Sequence, residues 1–437
     1  MFALSERLRW LALSAIVVCE SPDSKSVLQF GIIGASGYAG VLLDTLQPFV
    51  VSGSVKIAAA VVRTSAKIPE RYDALRAAGY RMYGSWEAMM EAEAGALDLL
   101  IIPTGIQAHR PMAEKALALG HRIFLEKPIA ATIEDALAVA EADRASGGGR
   151  AVLGYQDLAR PSAWWVREQI QSGAIGELRA VRGYGLWPRG DDYYTRNSWA
   201  GCLKADGAWV LDSPLNNAFA HFLNLMFFWA APEGQSSYDL CRVEAELYRA
   251  RPIESFDTAS LRMHSHGGPL IEFHATHSCS KQEDPFIRIE GSRGRIDWAH
   301  GRYCELRSGN QVEKIAMENN MEVRRACNEQ TIRGIRCEDA RVCTIAQGLS
   351  HTLCINALHR PGIPIRELRG ERIGHPETGS VPVIEGIEDA FRAAFDRGGL
   401  LSENGVAWAA SPESVEIPEE WRRPVIRESS KEYRETV

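Results

Sequence analysis

Residues 29–35 (QFGIIGA) form an apolar run that opens onto three glycines spaced three apart, Gly34, Gly37 and Gly40, after which residues 41–46 read as the start of a helix. This strand–turn–helix order admits few folds. A run that is apolar throughout, rather than alternating, is buried on both faces, as strands are in a parallel sheet covered by helices. The glycines have separate expected tasks. Gly34 permits the tight turn, Gly37 lets backbone N–H groups approach a pyrophosphate, and Gly40 lets helix and sheet pack closely. The helix N-terminus adds partial positive charge. The spacing is GxxGxxG, a looser match than GxGxxG. Ser36, Tyr38 and Ala39 share the turn and join Gly34 and Gly37 as expected dinucleotide contacts.

The rhythm continues beyond the turn. Residues 55–62 (VKIAAAVV), 97–103, 122–125 and 151–156 predict further strands, and residues 111–119 and 132–146 predict helices. That alternation predicts a parallel sheet with helices on both faces over residues 28–157. In such folds an acidic residue at the end of the second strand holds the ribose 2′-hydroxyl of NAD. Residues 62–65 instead read VRTS. Arg63 and Thr64 suit a 2′-phosphate, which favours NADP(H); NAD(H) is the alternative if Arg63 is simply solvated.

After residue 158 the pattern changes. Residues 162–172 and 214–229 read as helices, 177–186 as a strand and 187–210 as a long loop. Strands near 240–250, 257–265, 270–278 and 285–290 are joined by short turns and so pair antiparallel. Residues 340–358 and 384–397 are helical. The expected fold class is α/β. A Rossmann dinucleotide-binding domain (28–157) precedes a C-terminal α+β domain (158–411) with an open, largely antiparallel sheet, and a charged tail (412–437) follows. In residues 1–27, Arg7 and Arg9 precede an apolar stretch and then a polar one. That outline is shared by export signals, yet no A-x-A site follows and Val18 is bulky before Cys19. An extension and an export signal both stay open.

The 437 residues are 46% hydrophobic and 24% charged, which excludes a disordered, collagenous or coiled-coil chain. Forty-nine basic against 56 acidic side chains give −7, against a nucleic-acid or membrane-surface binder. No apolar run is long enough for a membrane-spanning helix. The nine cysteines are scattered without a CxxC pair and read as reduced, mostly buried thiols of a cytoplasmic protein.

Residues 125–128 read LEKP after one strand, and residues 103–109 read PTGIQAH after the strand before it. With Gly176-Glu177-Leu178 and residues 382–408, these motifs resemble the Gfo/Idh/MocA oxidoreductases, which include glucose–fructose oxidoreductase and inositol dehydrogenase, over most of residues 28–410. The resemblance implies hydride transfer between a nicotinamide and a carbon of a sugar, sugar derivative or cyclitol. It also implies a homodimer or homotetramer formed through the C-terminal sheet. It puts Lys127 beside the reacting hydroxyl, Glu126 near the nicotinamide ribose, and Pro103, Thr104 and His109 along the cofactor cleft. Lys127 also has a physical case of its own. A lysine at the C-terminal end of a parallel strand faces the crevice where ligands bind, where desolvation lowers its pKa toward proton transfer.

One segment departs from the family pattern of Asp-x-x-x-His. Residues 212–221 read DSPLNNAFAH, so Asp212 matches and Asn216 stands at the histidine position. An amide cannot shuttle protons. Asn216 and Asn217 could hold sugar hydroxyls, His221 could reach the site from the helical face it shares with Asn217, or Lys127 could act with a substrate-relayed proton. Asp212 as a helix cap and His221 as a core histidine are the plainer alternatives. Tyr155 and the loop aromatics Trp187, Tyr193, Tyr194, Trp199 and Trp209, set among Arg189, Asp191, Asp192 and Lys204, suit sugar stacking and hydrogen bonding. The pairs His264/His266 and His274/His277 lack an acidic or thiolate partner, so no metal is expected. The leading reading is an enzyme in which Lys127, Asp212 and His221 are catalytic. The alternatives are a redox-assisted glycosidase or lyase with a retained cofactor, and a regulator that binds dinucleotide and sugar without catalysis.

Overall fold

The computed structural model describes residues 26–370, 373–374 and 381–422, and within them the chain divides into two units. The first begins with β1 (Leu28–Ile33), α1 (Tyr38–Val51), β2 (Val55–Val61), α2 (Pro69–Ala77), β3 (Arg81–Tyr83), α3 (Trp86–Ala92), β4 (Leu99–Ile102), α4 (His109–Ala118), β5 (Ile123–Leu125), α5 (Ile133–Ala145) and β6 (Ala151–Leu153). The six strands run parallel in the order β3-β2-β1-β4-β5-β6. The connection reverses direction between β1 and β4, where doubly wound sheets open a crevice at the strands' C-terminal ends. The buried runs of β1, β2 and β4 were legible in the sequence. The short β3 was not, because none of its three residues is fully buried.

The second unit starts with α6 (Pro161–Gln171), β7 (Leu178–Leu186), α7 (Asp191–Thr195), a small hairpin of β8 (Lys204–Ala205) and β9 (Ala208–Trp209), and α8 (Ala220–Ala230). Then come β10 (Leu240–Arg249), β11 (Thr258–Ser265), β12 (Leu270–Thr276), β13 (Glu283–Gly291), β14 (Gly294–Ala299), β15 (Tyr303–Ser308) and β16 (Gln311–Ala316). After α9 (Asn320–Ile335) the chain forms α10 (Ile345–Leu358), β17 (Ile365–Glu367), β18 (Ile373–Gly374), β19 (Val383–Ile384), α11 (Ile387–Arg397) and β20 (Glu413–Glu416).

Ten strands make one sheet in the order β16-β15-β14-β13-β7-β12-β11-β10-β17, with β20 also paired to β10. Only β7–β12 and β10–β17 are parallel, so the sheet is largely antiparallel as expected. Alternation along β12 sends Phe273 to the face where it meets Phe219, and His274 to the opposite face against Phe391 of α11.

Several expectations need correction here. The helix foreseen over 214–229 begins only at Ala220, and residues 214–219 are turns. The cause is local competition: Asn216 Nδ2 donates to the carbonyls of Val210 (3.2 Å) and Leu211 (3.1 Å), and Ser213 Oγ accepts the Asn216 N–H. Asp212 therefore caps no helix; the residue at the start of α8 is Phe219. Part of the expected charged tail is β20, an edge strand on β10, while residues 423–437 and 1–25 lie outside the described residues. Among the described residues seven cysteines are free thiols.

The chain also returns to the first unit. Residues Met321–Ile345 pack there, although the sequence pattern groups them with the second. The buried face of α9, with Cys327, Ile332 and Ile335, joins the core formed by Phe30, Leu42 and Leu46. Asn328 Nδ2 donates to Thr45 Oγ1 (3.3 Å), and the Leu153 N–H donates to the Cys343 carbonyl (2.9 Å). Ile332→Ala should destabilise the first unit by about 2–4 kcal/mol, read from its unfolding transition in urea. An unchanged transition would show that α9 is not part of that core.

Candidate active site

The turn after β1 is built as an anion cradle. Gly34 (φ 106°) and Gly37 (φ 57°) hold backbone conformations that favour glycine. The Gly34 N–H donates to the Val61 carbonyl (3.0 Å), which ties the turn to the end of β2. No side chain caps α1. Its first backbone bond runs from the Val41 N–H to the Gly37 carbonyl (3.3 Å), so the N–H groups of Tyr38, Ala39 and Gly40 stand at an open helix N-terminus. Nothing lies within 4 Å of where a Cβ of Gly37 would be, so the turn is open at that point. Gly40 does not play its expected part. A Cβ there would meet Arg71 at 3.6 Å and the Ala35 carbonyl at 3.7 Å, which is ordinary contact.

Next to the cradle is a buried carboxylate. Glu126, at the end of β5, is 6% exposed and packs so closely on Gly154 that a Cβ at that position would sit 2.8 Å from its carboxyl atoms. The Tyr38 hydroxyl and the Arg324 guanidinium lie within electrostatic reach of Glu126. Burial pushes the Glu126 pKa up to about 7, against the opposing pull of Lys127, its backbone N–H and Arg324. Tyr38 is also raised, first by desolvation and then by Glu126. The sequence does not single out Arg324. Nothing local signals its role, since α9 reaches Tyr38 only through the return of the chain.

Lys127 follows Glu126, is half-buried, and donates its backbone N–H to Glu126 Oε2 (3.2 Å); the Lys127–Pro128 peptide is cis. His109 is fully buried. Its Nδ1 lies 2.8 Å from the Pro128 carbonyl and its Nε2 3.1 Å from that of Thr104. The ring thus braces the loop after β4 against the loop after β5, and desolvation lowers its pKa. Thr104 and Pro103 are half-buried at the same strand ends, whereas Tyr155 is only 2% exposed and belongs to the core rather than to a surface. Ser36, Arg63 and Thr64 are exposed, and Arg63 forms no ion pair among the described residues.

The second unit carries its own polar cluster. Asp212 is 2% exposed; its Oδ2 accepts the Gly201 N–H (2.7 Å) and its Oδ1 accepts Asn217 Nδ2 (3.1 Å). Asn217 also lies 3.3 Å from the Tyr193 hydroxyl. The preceding Leu211 has φ 51°, rare for a bulky residue, and is held there by bonds from 210–212 to the carbonyls of Leu203 and Cys202. Asn216 spends its amide on backbone carbonyls and is buried, so of the two asparagines only Asn217 meets the cluster. His221 is half-buried in the first turn of α8, and Trp199 lies under the Arg196 guanidinium at 5.3 Å. His277 is buried and places Nδ1 2.8 Å from the Trp187 carbonyl, while His274 is on the other face bonded to Ser260 (2.9 Å). Among the described residues no group of three or more His, Cys, Asp or Glu side chains is placed to hold a metal.

Residues 28–151 match the oxidoreductase family with an NAD-binding Rossmann fold, and residues 164–297 match the GFO/IDH/MocA C-terminal domain. The chain belongs to the Gfo/Idh/MocA oxidoreductase family. Curated members it resembles include dTDP-3,4-didehydro-2,6-dideoxy-alpha-D-glucose 3-reductase of Streptomyces antibioticus, 28% identical over 45% of this chain and 57% of the relative. D-xylose dehydrogenase of Paenarthrobacter nicotinovorans is 27% identical over 40% of this chain and 47% of that protein. The chain thus spans about half the length of these curated relatives. Among solved structures, the WlbA dehydrogenase of Bordetella pertussis, in complex with NADH and UDP-GlcNAcA, superposes with a TM-score of 0.63. It shares 19% identity over 78% of this chain and 96% of that one. These family members share the fold described above.

The buried Glu126 makes a pH prediction. Its pKa rises from an ordinary 4.5 to about 7 on folding. Between those values the folded chain holds a proton that the unfolded chain releases, so this group lowers stability as pH rises through that window. Glu126→Gln should remove that slope in denaturation measured from pH 4.5 to 8, and Arg324→Ala should move it to higher pH. An unchanged slope in both variants would show that the cluster does not bury a titrating carboxylate.

Proposed function

We propose that this chain is an NAD(P)-dependent oxidoreductase acting on a CH–OH group of a sugar, sugar derivative or cyclitol. One observation carries the reading: an open helix N-terminus at the switch point of a doubly wound sheet stands beside the Glu126–Lys127 pair. When bound, the nicotinamide supplies or takes the hydride. The residues of the cradle, Gly34, Ser36, Gly37, Tyr38 and Ala39, bind the pyrophosphate, and Glu126, Pro103 and Thr104 line the same strand ends. Lys127 exchanges the proton of the reacting hydroxyl. Asp212 and Asn217 bind substrate hydroxyls, with Trp199 as a stacking surface and His221 in support. The names of the relatives, for sugar reductases and sugar and inositol dehydrogenases, favour such a substrate. A domain division near residue 157 with residues 321–345 returning to the first domain, a homodimer or homotetramer formed through the ten-stranded sheet, and a cytoplasmic location belong to the same proposal.

NADP(H) is the preferred nucleotide. β2 ends without a carboxylate, and Arg63 is exposed with no ion-pair partner among the described residues, available to a 2′-phosphate. Fluorescence titration should show tighter binding of NADPH than NADH, with the difference lost in Arg63→Ala. Preference for NADH in the parent protein would remove the Arg63 argument and leave the fold untouched.

A specific observation favours a second reading, a dinucleotide- and sugar-binding regulator: the Asn216 amide is consumed by backbone and cannot relay a proton. Lys127→Ala separates the two. The enzyme reading expects a fall in kcat of about 100-fold or more with nucleotide affinity kept. A parent protein that binds nucleotide but turns over no carbohydrate would favour the regulator.

A further inference from the structure

The loop between β7 and the Asp212 segment concentrates arginines that the hydroxyl-binding role does not use. It is pinned to the end of β12: the Trp187 N–H donates to the Thr276 carbonyl (3.1 Å) and the Arg189 N–H to that of His277 (3.1 Å). Arg251 is buried and neutralised, donating to Asp191 (2.6 Å) and to the Arg189 carbonyl. Arg189 and Arg196 differ. Both guanidinium groups stack on Tyr193, at 5.2 Å and 3.4 Å from its ring centroid, and neither pairs with a carboxylate among the described residues. Arg189 Nε is buried with no hydrogen-bond partner there. The Tyr193 hydroxyl beneath them is the one that meets Asn217 and hence Asp212.

His277 reports the resulting field. Its Nδ1 faces a carbonyl and so carries the proton, and its pKa falls to about 3, first through burial and then through Arg189. Arg251 and Arg196 add to that shift. Arg189 Nη1 donates to the Pro188 carbonyl (3.4 Å) and Arg196 Nη1 to the Tyr193 carbonyl (2.6 Å); with no carboxylate partner among the described residues, the two guanidinium groups stand beside the Asn217 carboxamide and the Asp212 carboxylate as a site of mixed chemistry. A neutral polyol satisfies only the second half. An oxyanion on the same substrate satisfies the first by charge-assisted hydrogen bonds in the planar geometry that guanidinium groups favour.

We propose that Arg189 and Arg196 select an anionic carbohydrate, bearing a carboxylate or a phosphate, over its neutral counterpart. This rests on the oxidoreductase reading and names its substrate class. Matched panels decide it: hexuronates, hexose 6-phosphates and neutral hexoses of the gluco, galacto and manno configurations, each assayed with NAD+ and NADP+ on the full chain. One anionic class should exceed its neutral counterpart in kcat/KM by about 10- to 100-fold, the scale of one or two charge-assisted contacts. The arm that wins identifies carboxylate or phosphate. Arg189→Gln and Arg196→Gln should each erode that ratio through KM while sparing the neutral sugar, and rising salt should do the same. Neutral sugars turned over as well as the anions would overturn the proposal and leave the enzyme reading standing. If no sugar of the panel is turned over, calorimetric binding of D-glucuronate and D-glucose 6-phosphate against D-glucose tests the proposal alone. No preference for either anion would overturn it, and should both variants fail to fold, the selectivity and salt dependence of the parent protein decide it.

Discussion

A carboxylate taken out of water must be met by donors, and the first unit is arranged around that requirement at Glu126. The partners come from separate parts of the chain: Tyr38 from the start of α1, Lys127 from the next position, and Arg324 from α9. An unpaired buried charge is costly, so each partner fixes the position of the element that carries it. The same residues border the open end of α1. The pKa elevation of Glu126 follows from burial rather than from any special chemistry.

The second unit solves a different problem. Asp212 is also buried, and it accepts hydrogen bonds from a backbone N–H and a carboxamide. The backbone at Leu211 adopts a conformation unusual for a large side chain, and cross-loop hydrogen bonds keep it there. Asn216 takes part in that framework, which explains how the loop can do without the histidine of the family pattern: the side chain at this position has a structural occupation. Around the same site, cationic stacking on Tyr193 and Tyr194 organises a loop that has little regular structure of its own.

Much of this was legible in the linear chain. Buried parallel strands announce themselves as unbroken apolar runs, and the turn between β1 and α1 is marked by residues chosen for backbone geometry. The ranges of β1, β2 and β5 were accordingly close to expectation. The lysine at the end of β5 was legible for the same reason, since its position follows from the strand that ends there. What failed were inferences about side chains whose partners are remote or compete locally. Asn217 and His221 looked like neighbours on one helix, yet the turns at 214–219 put a boundary between them. Tyr155 looked like a crevice residue and is core. Arg324 carries no local signal and lies within electrostatic reach of Tyr38 and Glu126.

The sequence by itself determined the parallel sheet of the first unit and the glycine turn after its first strand, because hydrophobic period and glycine placement act through nearest neighbours along the chain. Only the tertiary structure decided that α9 returns to complete the first core, that Gly40 needs no special closeness, and that Arg189 and Arg196 pair with no carboxylate among the described residues. Those properties depend on which distant groups share a low-dielectric environment, and charge balance there is set by the fold rather than by position in the chain.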